Sequence, residues 1–386
     1  MAAFFRIRTM KAVVAIDSFK GCLASVEAGE AARAGLLEAG LRPEDIRVFP
    51  VSDGGEGFCA AVAAALPQSR EVRARACDPL GNPIEVSFLL ADCGGIRTAF
   101  LESASVCGYG QVPAERRNPL NTTSFGLGLL LREAVASGAE CIAVGLGGTA
   151  TCDGGAGMLQ ALGMRFLDAS GVAYPAGVPL LLKDISALDT ADFQTLCVAV
   201  EGWSDTDAVF AGPCGAVRIF GAQKGLPAEL ADAADAWMGR LADMYAAVGA
   251  GIPGFAELSG SGAAGGIGGA LAALLGAPLR SGAEALLRLV GLDAALAQAD
   301  LVLTGEGRFD AQTATGKLPA RVLAAAQSAP GRPRVICLAG SVDASAVSGS
   351  GFDAVIPVTP PEMPLAEALR PETAAALLRE AVRRCI

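Results

Sequence analysis

The two ends of the chain carry the same strand-then-helix rhythm, and this constrains the fold more than any other feature. Lys11 to Ile16 is a short apolar β run that ends at Asp17, and Ser25 can cap a helix that Gly40 stops. Ile46 to Val51 reads as a second strand, followed by Asp53-Gly54-Gly55-Glu56-Gly57 and an alanine-rich helix to about Leu66. This is βαβα, the pattern of parallel strands joined by crossover helices. From residue 300 it returns: strands at Leu301–Thr304, Arg334–Ala339 and Ala354–Val358, with a helix at Leu318–Gln327.

Between the two ends the rhythm changes. Val72, Ala74 and Ala76 alternate with arginines before the turn Asp78-Pro79-Leu80-Gly81, and Val86, Phe88 and Leu90 alternate before Asp92-Cys93-Gly94-Gly95. Hairpin signals of this kind announce a mixed or antiparallel sheet. Thr123 or Ser124 can cap a helix to about Ser137, and Cys141 to Leu146 reads as a buried strand. Leu230, Trp237, Leu241, Met244 and Val248 recur at helical spacing and form a core stripe. Leu258 to Leu279 lacks charge, but its alanines and glycines predict a buried helix behind a glycine loop rather than a membrane span. The expected fold class is therefore α/β. A parallel-sheet domain (residues 1–66 plus 290–386) is interrupted by an inserted mixed-sheet α/β domain (67–289), in keeping with about 150 residues per domain.

Composition narrows the chemistry. The chain of 386 residues has no histidine, which excludes Ser-His-Asp and Cys-His arrangements, H-E-x-x-H zinc sites and a histidine phosphocarrier. Proton transfer falls to Asp, Glu, Lys, Tyr or Cys, and the metal to expect is a hard, oxygen-binding ion such as Mg²⁺. A net charge of −10 speaks against nucleic-acid and anionic-membrane partners. Eleven scattered cysteines without C-x-x-C read as reduced thiols of a cytoplasmic protein. No signal peptide is evident, and Met1 to Thr9 reads as a tail or a misread start.

Glycine is abundant, 49 of 386, and it concentrates at strand ends. Asp53-Gly54-Gly55-Glu56-Gly57 and Asp153-Gly154-Gly155-Ala156-Gly157 each follow a strand and open an apolar helix, where backbone N–H groups can face an anion. The aspartate of each can cap the helix or hold a metal. Asp17-Ser18-Phe19-Lys20-Gly21 lies at the carboxyl end of the first strand, where open α/β sheets bind ligands. Thr304-Gly305-Glu306-Gly307-Arg308-Phe309-Asp310, with Gln312, Thr313 and Lys317 after it, gathers opposite charges among glycines. Arg116 and Arg117 read either as a solvated pair or as an anion clamp. No G-x-x-x-x-G-K-[ST] is present, so this is not a Walker-type protein. Gly260, Gly262 and Gly265 satisfy G-x-G-x-x-G after a poor strand, the one feature that favours a dinucleotide-dependent dehydrogenase.

Taken together, these motifs resemble the bacterial glycerate kinase family of the two-domain, non-Walker type. The resemblance runs from about Met10 to the C-terminus. It rests on D-S-F-K-G at 17–21, S-D-G-G-E-G at 52–57, D-P-L-G at 78–81 and T-S-F-G at 123–126. It continues in G-G-T-A-T-C-D-G-G-A-G at 147–157, F-G-A-Q-K-G at 220–225, G-A-A-G-G at 262–266 and T-G-E-G-R-F-D-A-Q-T at 304–313. The resemblance implies a Rossmann-like domain interrupted by a mixed α/β domain, and phosphorylation of D-glycerate by ATP with Mg²⁺ in the cleft between the domains. The 2-hydroxyl is the favoured acceptor. In this reading Lys20, Arg308, Lys317 and Asp205 are catalytic, Asp205 accepting the hydroxyl proton. Ser18, Gly54, Gly55, Gly147, Gly148, Thr149, Gly154, Gly155, Arg117, Gln312 and Thr313 bind substrate or phosphate. Asp53, Asp153, Glu306 and Asp310 hold the metal. A homodimer is compatible with the resemblance. Ile16 and Cys22 stand where the family usually has Pro and Ser, and Ala208 and Val209 replace its Asn and Pro. A non-catalytic sensor of small hydroxy acids would tolerate that last change.

Overall fold

The computed structural model describes residues 10–19, 21–52, 54–55, 57–249, 251–314 and 317–386, the side chains of Gln312 and Ala314 excepted. Its strands are, in chain order, β1 (Ala12–Ile16), β2 (Ile46–Val48), β3 (Arg70–Cys77), β4 (Pro83–Cys93), β5 (Ile96–Glu102) and β6 (Cys141–Gly145). They continue with β7 (Arg165–Leu167), β8 (Ala187–Asp189), β9 (Ala199–Trp203), β10 (Leu279–Arg280), β11 (Leu301–Phe309), β12 (Arg334–Val342) and β13 (Ala354–Pro357). The described residues fall into two compact units, one from Met1–Asp53, Ala60–Pro67 and Ala283–Ile386, the other from Gly54–Cys59 and Gln68–Gly282.

The first unit holds a parallel sheet in the order β13-β12-β11-β1-β2. All five residues of β1 are buried, because helices cover both faces of the sheet. Val14 and Ile16 pack with Leu36, Leu378 and Val382 on one face, whereas Val13 and Ala15 pack with Leu287, Leu296 and Val322 on the other. This is why a parallel strand reads as a continuous apolar run rather than an alternating one.

Two local expectations change. Ser25 does not cap its helix, Ser25–Glu38. Its hydroxyl instead donates to the Ile16 carbonyl at 2.6 Å and accepts from the Val51 N–H at 2.9 Å, while Glu27 accepts the Ala24 N–H. Ser25 thus takes the Val51 N–H, and β2 stops at Val48. β11, expected to end at Thr304, runs on to Phe309 because β12 accompanies it as far as the pair Phe309–Val342. The charged segment at 304–309 is therefore a strand, not a loop.

The second unit holds a mixed sheet, β10-β9-β6-β5-β4-β3. The two expected hairpins, β3–β4 and β4–β5, are antiparallel, and the remaining pairings are parallel. β7 and β8 form a separate antiparallel pair. The helix Ala231–Val248 buries Ala234, Met238, Leu241, Ala242 and Tyr245; Trp237 and Met244 are half-buried and Val248 is exposed, so its core stripe is rotated from the one expected. The helix Ala263–Leu275 is buried along nearly its whole length, as its composition predicts. No helix among the described residues is long and apolar enough to cross a membrane. All eleven cysteines are unpaired.

Candidate active site

In the first unit the carboxyl edge of the parallel sheet gathers charge. Asp17, just beyond β1, is buried and donates its backbone N–H to the Gly305 carbonyl at 2.9 Å; the same register sets it beside Glu306. Ser18, half-buried, donates its N–H to the Asp17 carboxylate at 2.7 Å. Lys317 Nζ lies 3.6 Å from Glu306 and 3.5 Å from Asp310. Arg308, largely exposed, approaches Asp310 at 3.8 Å. Thr313, fully buried, accepts the Asp310 N–H and donates to the Arg308 carbonyl, locking the turn after β11.

Two atoms in this cluster are out of place in a purely structural edge. Thr304 Oγ1 and Glu306 Oε1 are buried, sit two residues apart on one face of β11, and have no hydrogen-bond partner among the described residues. Buried polar atoms are nearly always paired, so this pair is a candidate place for a ligand or ion to complete the bonding. Burial pushes the Glu306 carboxyl above the usual carboxylate range, with Asp310 adding and Thr313 and Lys317 opposing. A carboxyl whose folded pKa exceeds its unfolded value contributes stability below the unfolded pKa, and that contribution is lost as pH rises through the folded one. Glu306→Gln, which cannot ionise, should therefore gain melting temperature relative to the parent as pH is raised from 4 to 8 without Mg²⁺. A gap that narrows over that range would show the carboxylate to be stabilised by its neighbours instead.

The second unit brings several of the expected turns together. A Cβ on Gly147 would lie 2.5 Å from Gly55 Cα, and one on Gly54 would lie 2.6 Å from the Trp203 carbonyl oxygen, so only glycine permits these backbones to meet. Glu102, at the end of β5, accepts the N–H groups of Gly57 and Cys59 at 3.1 Å each, and so anchors the turn that follows Gly55. Asp205, just past β9, accepts the Ser281 hydroxyl at 2.5 Å. Arg117 is held on Tyr109: its guanidinium lies 4.0 Å above the ring and donates to the phenol oxygen at 3.0 Å.

The second Asp-Gly-Gly turn serves the interior. Asp153 is buried, and its carboxylate accepts from the Ser124 N–H, the Ser124 hydroxyl, and the Gly155 and Gly157 N–H groups, all at 2.8–3.1 Å. With those lone pairs taken, it is a turn anchor rather than a metal ligand. The Gly154 N–H donates to the Gly265 carbonyl and the Gly155 N–H to Asp153, so neither is available to a phosphate. Gly260, Gly262 and Gly265 are packed inside in the same way; a Cβ would meet the Val209 carbonyl at 2.2 Å from Gly262 and the Thr151 carbonyl at 1.9 Å from Gly265. Those glycines serve interior packing, which removes the one feature that favoured a dinucleotide. The 208–210 segment is core as well: Ala208 and Phe210 are buried, and Phe210 packs on Tyr245 and Phe255.

Lys20 and Asp53 lie outside the described residues, as does the side chain of Gln312. Among the described residues no three Cys, Asp or Glu side chains converge as a metal cluster. Sequence reasoning missed Asp17, Glu102, Thr304 and Lys224 as individual contributors, although Asp17, Thr304 and Lys224 fall inside motifs it singled out. Strand-end position was the available signal for Asp17 and Glu102. Lys224 carried none beyond its glycine-flanked motif.

Clustered lysine, arginine and carboxylates at a parallel sheet edge, together with glycine turns, are the groups that a small-molecule phosphotransferase of the non-Walker type uses. The comparisons with known proteins agree. The glycerate kinase family profile matches residues 12–386. A glycerate kinase of Bacillus subtilis (strain 168) is 40% identical over 366 residues, 93% of each chain. A glycerate 2-kinase of Escherichia coli (strain K12) is 38% identical over 94% of this chain and 93% of its own. The crystal structure of a glycerate kinase 2 from Salmonella typhimurium LT2 superposes with a TM-score of 0.77 at 37% identity, covering 98% of this chain and 97% of that one. The chain belongs to the glycerate kinase family.

Proposed function

We propose that this protein transfers the terminal phosphoryl group of ATP to the 2-hydroxyl of D-glycerate, releasing ADP and 2-phosphoglycerate. The observation that carries the reading is the family match over nearly the whole chain, with a glycerate 2-kinase among the relatives. Phosphoryl transfer through a loose transition state asks for positioning and charge neutralisation rather than covalent help, so a protein without histidine lacks nothing essential.

In this reading Lys317 and Arg308 neutralise charge on the transferring phosphate. Mg²⁺ would find hard oxygen donors in Glu306, whose Oε1 is buried and without a partner among the described residues, and in Asp310. When bound, the ion supplies charge neutralisation on the phosphates. Asp205, oriented by the Ser281 hydroxyl, holds the proton of the accepting hydroxyl. Orienting the hydroxyl is the larger part of that task. Lys20 and Asp53 keep the roles the resemblance implies.

The test is direct. Purified protein with Mg-ATP and D-glycerate should give ADP and phosphoglycerate one for one, and the product should feed enolase without a mutase. No ADP above background, with glycerate still bound, would favour the sensor. A product that needs a mutase would move the phosphate to the 3-hydroxyl.

A further inference from the structure

The most unusual charge in the second unit is Lys224, which closes the short turn Ala222–Lys224 inside the motif F-G-A-Q-K-G. Its residue is only 6% exposed. Nζ donates to Thr149 Oγ1 at 3.2 Å and to the Thr151 carbonyl at 2.8 Å. Among the described residues, no carboxylate lies within ion-pair distance of it; besides those two oxygens it meets the Phe220 ring, whose centroid lies 5.9 Å from Nζ. Asp153, on the same stretch of chain as Thr149 and Thr151, is already saturated by four donors. A buried ammonium without a counter-charge is costly, and proteins keep one where an anion completes it.

The surroundings are donors too. Thr149 Oγ1 accepts from Lys224, which leaves its own hydrogen to donate. Among the described residues the N–H groups of Gly148, which is exposed, and Thr149, which is buried, have no acceptor, while the neighbouring Tyr109 and Ala150 N–H groups are both paired. Tyr109 donates its backbone N–H to the Gly148 carbonyl and carries the Arg117 guanidinium on its ring.

We infer that Lys224, Thr149 and the Gly148 and Thr149 N–H groups form the subsite that takes the carboxylate of a small hydroxy acid, here the carboxylate of glycerate. The inference rests on the function proposed above and gives one of its substrate contacts to a residue that neither the motif reading nor the comparisons singled out. Ammonium, hydroxyl and two N–H groups match the acceptor capacity of one carboxylate. A single enclosed positive charge suits a monoanion; a nucleotide triphosphate would leave most of its charge unmatched there. The assignment places the carboxylate at the turn after β6.

The test pairs binding with acceptor choice. D-glycerate affinity is measured by calorimetry without ATP for the parent, Lys224→Met, Lys224→Arg and Thr149→Val. The ratio of kcat/KM for D-glycerate over glycerol, which lacks the carboxylate, is measured for the same proteins. Loss of one charged hydrogen-bond partner should weaken glycerate binding roughly 10- to 100-fold and lower the ratio by a similar factor. Lys224→Arg should restore part of both. A lysine that merely pins the 149–151 loop would lower the melting temperature and depress both acceptors equally, and an unchanged ratio would overturn the inference. If Lys224→Met does not fold, a folded Thr149→Val is decided by the same ratio. Parent protein that binds glycerate through Lys224 without turning it over would refute the kinase reading and leave the subsite standing. Parent protein that neither binds nor phosphorylates glycerate would refute both.

Discussion

Asp153→Ala is expected to lower the melting temperature by about 6–12 °C, equally with and without Mg²⁺. The substitution leaves the Ser124 N–H and hydroxyl and the Gly155 and Gly157 N–H groups without their acceptor in a fully buried site. Orphaning buried donors costs about 1–3 kcal/mol each where nothing replaces the acceptor, and partial relaxation brings the total to about 3 kcal/mol. At about 2–4 °C per kcal/mol for a unit of this size, the shift in melting temperature follows. The charge itself is not what stabilises the turn: burial raises the carboxyl above its usual range, outweighing the bonds from Ser124, Gly157 and Gly155 that oppose it. The bonds matter because they join the Gly154-Gly155 turn to the start of the helix Phe125–Ala136. Thermal denaturation with and without the ion decides the matter. A melting temperature close to the parent's in its absence, coupled with loss of ion-dependent stabilisation, would return Asp153 to the metal.

Lys317→Met should reduce kcat by roughly 10²- to 10³-fold, the usual loss when one preorganised donor to developing charge is removed. Lys317 is the one cation in contact with both Glu306 and Asp310 among the described residues, at 3.6 and 3.5 Å. On the proposed function its removal takes away a positive charge that meets the transferring phosphate, and it leaves two carboxylates repelling each other. Its side chain is more than a third exposed, so the melting temperature should move little. Steady-state ADP release in parallel with thermal denaturation separates these effects. Near-parental turnover by a folded Lys317→Met would remove Lys317 from the transfer machinery.

Much of the fold was legible because burial on both faces leaves a mark in sequence. β1 is a continuous apolar run, and β3 and β4 alternate before glycine turns; both patterns report local environment. The end of β11 was not legible. Glu306 and Arg308 interrupt the apolar run, and only the long partner strand β12 keeps that segment extended. Ser25 is the same kind of case: a serine before a helix looks like a cap, and only the fold supplies Ile16 and Val51 as competing partners.

At the site, motif order carried the resemblance to the family, and that resemblance implied the chemistry; the residue types alone (no imidazole, a lysine and carboxylates after one strand, glycines after others) pointed only to anion and hard-metal binding. Sequence by itself could not tell one Asp-Gly-Gly turn from another. The first meets Gly147 and the end of β9, whereas the second is spent on interior hydrogen bonds. Nor could it show that, among the described residues, Lys224 is enclosed without a counter-charge and Thr304 and Glu306 carry unpaired oxygens. The reason is physical. Strand and helix periodicity record which face of an element is buried, and that is local. Whether a buried donor or charge finds a partner depends on residues far away in the chain, here residue 224 against residues 149 and 151, and only the tertiary structure brings those together.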